Sequence, residues 1–171
     1  MSLEELREQN IRLVTEKALE CFIKNGINNT RVSEIAAESG LTQRSVFRYF
    51  PSKDDIVIAA AFCYWERTKA YIARELRRHT DDAQTGIEQI NIILNSYANM
   101  LFVDPEGIRF SLDAEVALYS VGKNAHVINR PPERYEAYKG PLSQAVRRGL
   151  ADGTVDPGAN IKQLYYNAYD S

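Results

Sequence analysis

The sequence predicts an all-α protein with an N-terminal three-helix, helix-turn-helix head and a C-terminal helical body. Apolar residues recur at three- and four-residue steps along most of the chain, which is typical of amphipathic helices. Residues suited to helix caps and helix ends separate these stretches. We see no stretch of period-two alternation that would indicate a strand. We expect the head to span residues 1–52 and the body residues 53–171.

The head is predicted to contain three helices. The first covers residues 4–24 and ends before Gly26, which can adopt a left-handed conformation. The second covers residues 31–39 with Thr30 as its N-cap, and the third begins after Thr42 and ends near Phe50. The apolar stripe of the first helix consists of Ile11, Val14, Ala18 and Phe22.

The body is predicted to contain five further helices. Ser52, with Asp55 three residues later, starts a long helix over residues 53–78. The next helices are expected over residues 85–102, 105–121, 132–152 and from 157 onward, with a loop over 122–132. Pro105 suits a first helical turn, whereas Gly140-Pro141 should kink or divide the helix that contains it.

Residues 32–51, VSEIAAESGLTQRSVFRYFP, carry the functional motif. Two helices that cross closely need a small residue at the crossing, and Ala36 supplies it. The tight turn that follows needs a positive φ, which Gly40 adopts without steric cost. Val46 then packs against the first helix of the pair, together with Ile35, Leu41 and Phe50. This register indicates a helix-turn-helix rather than three packed helices with a solvated face.

The outer face of the motif suits contact with DNA. No acidic residue occurs from Ser39 to Lys53, and Gln and Arg side chains can make paired hydrogen bonds to adenine and guanine edges. Thr, Ser, Tyr and Lys near the helix ends suit phosphates. The outer face consists of Thr42, Gln43, Arg44, Ser45, Phe47 and Arg48.

Three blocks of this region resemble the DNA-binding domain of the TetR family of repressors. They are Ala18-Leu19-x2-Phe22-x3-Gly26, Thr30-x-Val32-x2-Ile35-Ala36-x3-Gly40-Leu41 and Ser45-Val46-Phe47-x-Tyr49-Phe50-Pro51-Ser52-Lys53. The resemblance implies base contacts from Gln43, Arg44 and Phe47, and a further DNA contact from Ser33. It implies phosphate contacts from Thr30, Ser45, Tyr49 and Lys53. Position 47 is usually Tyr in this family, so Phe47 lacks a hydroxyl there.

The resemblance also implies a homodimer on palindromic operator DNA and a small hydrophobic or aromatic effector bound in the body. We expect the apolar stripes of the last two helices to form the dimer interface, although they could instead cover the monomer's own core. These stripes consist of Leu142, Ala145, Val146, Leu150, Ile161, Leu164, Tyr165 and Ala168. The expected ligand-binding residues are Phe62, Trp65, Tyr97, Met100, Leu101, Phe110, Leu112 and Tyr119, though such aromatic stripes are more often plain core.

Charge and composition fit a regulator. The net charge of −2 divides into +1 over residues 1–53 and −3 over residues 54–171, so the head is the less acidic part. The polar N-terminus and the lack of an apolar run of about 18 residues predict a cytoplasmic protein without a membrane span. We find no nucleophile–base pair, phosphate loop or metal-ligand spacing, so we expect no enzyme activity, metal or cofactor. A DNA-binding structural or adaptor protein without an effector is the alternative.

Overall fold

The computed structural model describes residues 2–79, 84–120 and 141–158, except for the side chains of 118–120. These residues form helices and no strand, which confirms the predicted all-α class. The helices are α1 (Leu3–Asn25), α2 (Val32–Glu38), α3 (Gln43–Tyr49), α4 (Lys53–His79), α5 (Gly86–Val103), α6 (Pro105–Ser120) and α7 (Pro141–Asp152). The predicted helix from residue 157 onward falls almost wholly outside the described residues.

The helices form two compact units. The first contains α1, α2, α3, α4 as far as Arg67, and α6. Its core lies around Phe22 of α1, which stacks on Phe110 of α6 with ring centroids 6.0 Å apart, while Tyr64 of α4 meets Phe110 edge-on. Arg109 Nη2 also donates to the carbonyl oxygen of Ile23 at 3.3 Å, so α6 is attached to the end of α1.

Most predicted helix ends of the first unit are confirmed. Gly26 follows α1 with a φ of 81°, and Thr42 Oγ1 accepts from the N–H of Ser45 at the start of α3. Ser52 and Asp55 hydrogen-bond each other's backbone N–H groups at the start of α4. The predicted N-cap of α2 was wrong, because Arg31 occupies that position and its N–H donates to the Glu34 carboxylate.

The second unit contains α4 from Thr68 onward, α5 and α7. Ile72, Ile93 and Ala145, one from each helix, form its buried centre. At one end, α5 starts against the last turn of α7, and the two backbones come so close that a Cβ on Gly86 would lie 2.0 Å from the backbone N of Gly149. This part of the unit therefore depends on a glycine at position 86.

The dimer stripe predicted on α7 needs correction. Ala145 is fully buried and Val146 is 6% exposed, so their side chains already lie in the interior of their own chain. Leu142 packs against the same buried centre, and Leu150 is partly buried. At Ala145 and Val146 the apolar stripe therefore has a partner within the monomer, which is the alternative that the sequence left open. Ile161, Leu164, Tyr165 and Ala168 lie outside the described residues.

Asp152, the last residue of α7, and Thr154, just after it, cap the N-terminus of α5. The Asp152 carboxylate accepts from the N–H of Gly86 at 2.7 Å, and Thr154 Oγ1 accepts from the N–H of Ile87 at 3.2 Å. The hydrogen bonds that Asp152 receives, from the Thr154 side chain first and the Gly86 backbone next, lower the pKa of its carboxyl group. Hydrogen bonds from the backbone and side chain of Thr85 likewise lower the pKa of the Glu88 carboxyl group.

These lowered pKa values predict a loss of stability in acid. A carboxyl group with a lowered pKa in the folded state stabilises that state above its unfolded pKa, and the contribution disappears as the pH falls through the folded pKa. We expect Asp152→Ala to lower the thermal unfolding midpoint at pH 7, and the difference from wild type to shrink below about pH 4. Asp113→Ala, which removes an exposed carboxylate of α6, is the control. A difference for Asp152→Ala that stays constant with pH would contradict this account.

Candidate nucleic-acid interface

The corner between α2 and α3 has the geometry of a helix-turn-helix. Gly40 has a φ of 65°, and the N–H of Leu41 donates back to the carbonyl oxygen of Ala36 at 2.9 Å. Ala36 is buried at this point, as are Ile35 and Val46, which are fully inaccessible. The small residue and the glycine therefore set the direction in which α3 leaves the corner.

The outward face of α3 is exposed and cationic. Gln43, Arg44, Phe47 and Arg48 are all exposed, and the first turn contains no acidic residue. Phe47 is 40% exposed, which is unusual for a phenylalanine and leaves its ring available for contact. Thr42 and Ser45 hydrogen-bond each other through their hydroxyl groups at 3.0 Å at the start of the helix. This surface offers two kinds of hydrogen-bond donor and an apolar ring within one seven-residue helix.

Tyr49 and Lys53 lie partly buried at the other end of α3 and at the start of α4. The Tyr49 hydroxyl oxygen accepts from Asn10 Nδ2 of α1 at 3.1 Å, and the Arg48 guanidinium lies 5.9 Å from the centre of the Tyr49 ring. Lys53 Nζ donates to the carbonyl oxygen of Ile27 in the α1–α2 turn. The hydrogen bonds Asn10–Tyr49 and Lys53–Ile27 were not predicted, because each joins residues that are far apart in sequence.

Thr30 differs from its predicted role. Its side chain is 1% exposed, and its hydroxyl donates to the carbonyl oxygens of Gly26 and Cys21 at 2.8 and 3.2 Å. A hydroxyl buried in this way holds the turn after α1 and does not reach a phosphate. Ser33 on α2, by contrast, is exposed as its predicted DNA contact requires.

The position of Lys53 predicts two separable effects. Burial lowers the pKa of its ammonium group, and one N–H is committed to the Ile27 carbonyl, which leaves others for a phosphate. We expect Lys53→Ala to weaken binding to every DNA sequence alike and to reduce the slope of log affinity against log salt by about 1 for each bound protomer. Lys53→Arg should keep the slope. A loss confined to one DNA sequence would contradict the phosphate role.

The predicted ligand-binding residues fall into both units. In the first, Phe110 is buried against Phe22 and Tyr64, Phe62 and Trp65 are partly buried, and Leu112 is exposed. In the second, Met100 is buried, while Tyr97 and Leu101 are exposed. Leu101 and Leu112 are 56% and 58% exposed, so their side chains are accessible in this chain. The side chain of Tyr119 lies outside the described residues.

Two further features bear on function. Cys21 and Cys63 are partly buried free thiols, and burial raises the pKa of each, which keeps them protonated and weakly reactive. Within the part of the chain that the structure describes, no three His, Cys, Asp or Glu side chains are placed to hold a metal ion. Across those same residues, no helix combines the length and apolar character that crossing a bilayer requires.

Comparison with known proteins matches the N-terminal part of the chain to a described family. Residues 14–60 match the family described as bacterial regulatory proteins, tetR family. The chain is 21% identical over 160 residues to the fatty acid metabolism regulator protein of Bacillus subtilis strain 168, covering 92% of this chain and 78% of that protein. It is 30% identical over 90 residues to the HTH-type transcriptional regulator YuxN of the same organism, covering 53% of this chain and 30% of YuxN.

A solved structure shows the same fold. The transcriptional regulator FadR from Bacillus subtilis, in complex with stearoyl-CoA, aligns with a TM-score of 0.59 at 20% sequence identity. The alignment covers 89% of this chain and 77% of FadR. At this level of identity the match concerns the fold, so the arrangement of an N-terminal helix-turn-helix and a helical C-terminal body is common to both chains.

Proposed function

Because this chain belongs to the tetR family of bacterial regulatory proteins through its N-terminal domain, it is a DNA-binding transcriptional regulator, and we propose that it is a repressor. In this proposal a homodimer binds a palindromic operator, and a small-molecule effector releases it. The observation that carries the proposal is the exposed, acid-free face of α3 beyond the Gly40 corner. We keep residues 1–52 as the DNA-binding domain and residues 53–171 as the domain for effector and dimer contacts.

We propose that Gln43, Arg44 and Phe47 read base edges in a major groove. Their exposure on one short helix supports this role. Arginine suits guanine, glutamine suits adenine, and an apolar ring suits the methyl group of thymine. We propose that the remaining polar residues around α3 contact phosphates. Such contacts fix the register of the protein on the duplex without specifying the base sequence. They are Ser33, Thr42, Ser45, Arg48, Tyr49 and Lys53.

We propose a homodimer because the recognition surface is small. One seven-residue helix contacts few base pairs, and a two-fold pair doubles the contacts and reads a palindrome. Selection of random duplexes by the purified chain tests this. We expect two inverted half-sites with centres about 34–36 Å apart, or a multiple of that distance. Failure to enrich any sequence would contradict sequence-specific binding.

The effector proposal is supported by the apolar character of α5 and by the comparisons. Glu88 is the only charged residue from Gly86 to Val103, and Tyr97 and Leu101 remain exposed on this helix. Because FadR was solved with stearoyl-CoA, that compound is a suitable first probe. We expect stearoyl-CoA to release the protein from the selected duplex, whereas free CoA should not. A complex that stearoyl-CoA leaves intact would contradict an acyl-CoA effector, and the DNA-binding structural or adaptor protein without an effector remains the alternative.

A further inference from the structure

Asn10 of α1 makes a hydrogen bond to α3, and the core packing of α1 does not require an asparagine at this position. Its Nδ2 lies 3.1 Å from the hydroxyl oxygen of Tyr49, the last residue of α3. Both side chains are only partly buried. The packing of α1 rests instead on Val14, Ala18 and Phe22, which are buried farther along the helix. Asparagine is also a poorer helix former than alanine, so neither core packing nor helix propensity favours it at position 10.

The chemistry of the pair determines where the tyrosine proton points. An amide NH2 group only donates, so the Tyr49 oxygen is the acceptor in this hydrogen bond. The Tyr49 O–H is then left to donate to another group, and a phenol that accepts a hydrogen bond is polarised into a stronger donor. The neighbouring Arg48 guanidinium, 5.9 Å from the ring centre, places positive charge beside the same hydroxyl-bearing ring. The combination suits an anionic acceptor.

We propose that Asn10 is a positioning residue for DNA binding: it holds the Tyr49 oxygen in place and directs the Tyr49 proton to a backbone phosphate. The inference rests on the proposed function, because it assigns a supporting residue to that same surface. It adds a residue from α1, outside the helix-turn-helix, to the determinants of affinity. A neutral hydrogen bond to phosphate adds affinity for any sequence and releases no counterion.

Fluorescence anisotropy with two labelled duplexes tests the inference: the duplex selected by the wild-type chain and an unrelated one, each at several salt concentrations. We expect Asn10→Ala and Tyr49→Phe each to weaken binding to both duplexes by about three- to tenfold for each bound protomer, the effect of one net hydrogen bond. The salt slope should not change. The double variant should bind no more weakly than Tyr49→Phe alone, because both changes remove the same interaction.

Asn10→Asp separates positioning from a merely structural role. The carboxylate that this change introduces would accept a hydrogen bond from the Tyr49 O–H and would repel a phosphate. This variant should therefore bind more weakly than Asn10→Ala and unfold at the same midpoint as the wild-type protein. Asn95→Ala removes an exposed helical asparagine of the second unit and should bind as wild type does. Additive losses in the double variant, or wild-type affinity for Asn10→Ala, would overturn the inference. Wild-type protein that binds neither duplex would instead overturn the proposed function.

Discussion

Gly86→Ala is expected to destabilise the protein by about 3 kcal/mol, the upper end of the usual cost of overpacking. The added Cβ would lie 2.0 Å from the backbone N, 2.2 Å from the Cα of Gly149 and 2.7 Å from the carbonyl oxygen of Ala145. All three are backbone atoms, so no side-chain rotation relieves the overlap, and α5 must move away from α7. The displacement would also break the hydrogen bond between the Gly86 N–H and Asp152.

The sign of this effect is diagnostic. Alanine is a better helix former than glycine, by about 1 kcal/mol in a helix interior, so helix propensity does not explain a loss of stability and the close approach of α5 to α7 does. Urea unfolding followed by far-UV circular dichroism measures the change. Asn91→Ala, at an exposed position of the same helix, should alter the free energy of unfolding by no more than about 0.5 kcal/mol. A Gly86→Ala protein as stable as wild type would contradict the packing of α5 on α7.

Arg44→Ala is expected to lower affinity for the selected operator by about 1–3 kcal/mol, which is roughly five- to 150-fold. The guanidinium is exposed on the first turn of α3, where a paired hydrogen bond to guanine is available. Losing it should weaken the preference at one base pair of each half-site, and affinity for unrelated DNA should fall much less. Anisotropy titrations against a panel of single-base operator variants measure both effects.

Arg77→Ala provides the matched control for Arg44→Ala. Arg77 is likewise an exposed arginine near one end of a helix, but it lies in the last turn of α4, away from α3 in sequence. We expect its removal to leave the base preference unchanged. Equal loss of affinity for operator and unrelated DNA in Arg44→Ala would make Arg44 a phosphate contact and refute its role in reading bases.

The turn between α2 and α3 and the N-terminal caps of α3 and α4 could be predicted from the sequence alone. Gly40, Thr42, Ser52 and Asp55 act through contacts within a few residues of themselves, and the structure confirms each of them. Short-range rules of capping and turn conformation therefore predict such features well. Thr30 shows the limit of these rules. It fits an N-cap by residue type, but its hydroxyl donates to the carbonyl oxygens of Cys21 and Gly26 instead.

Features that depend on distant residues could not be predicted. The apolar stripe of α7 reveals that one face of the helix is buried, but it does not reveal whether the partner is α5 or a second chain. The approach of Gly86 to Gly149 and the bond from Asn10 to Tyr49 each join residues that sequence separates widely. No local pattern signals such pairs, because only the packing of whole helices brings them together.

Dimethyl sulfate protection on the selected duplex tests the central claim, that the exposed face of α3 enters a major groove. The reagent methylates guanine N7 in the major groove and adenine N3 in the minor groove. We expect bound wild-type protein to protect guanine N7 in two symmetric patches, and Arg44→Ala to lose protection at one guanine of each patch. Protection confined to adenine N3, or no protection of a bound duplex, would contradict the placement of α3 in the major groove.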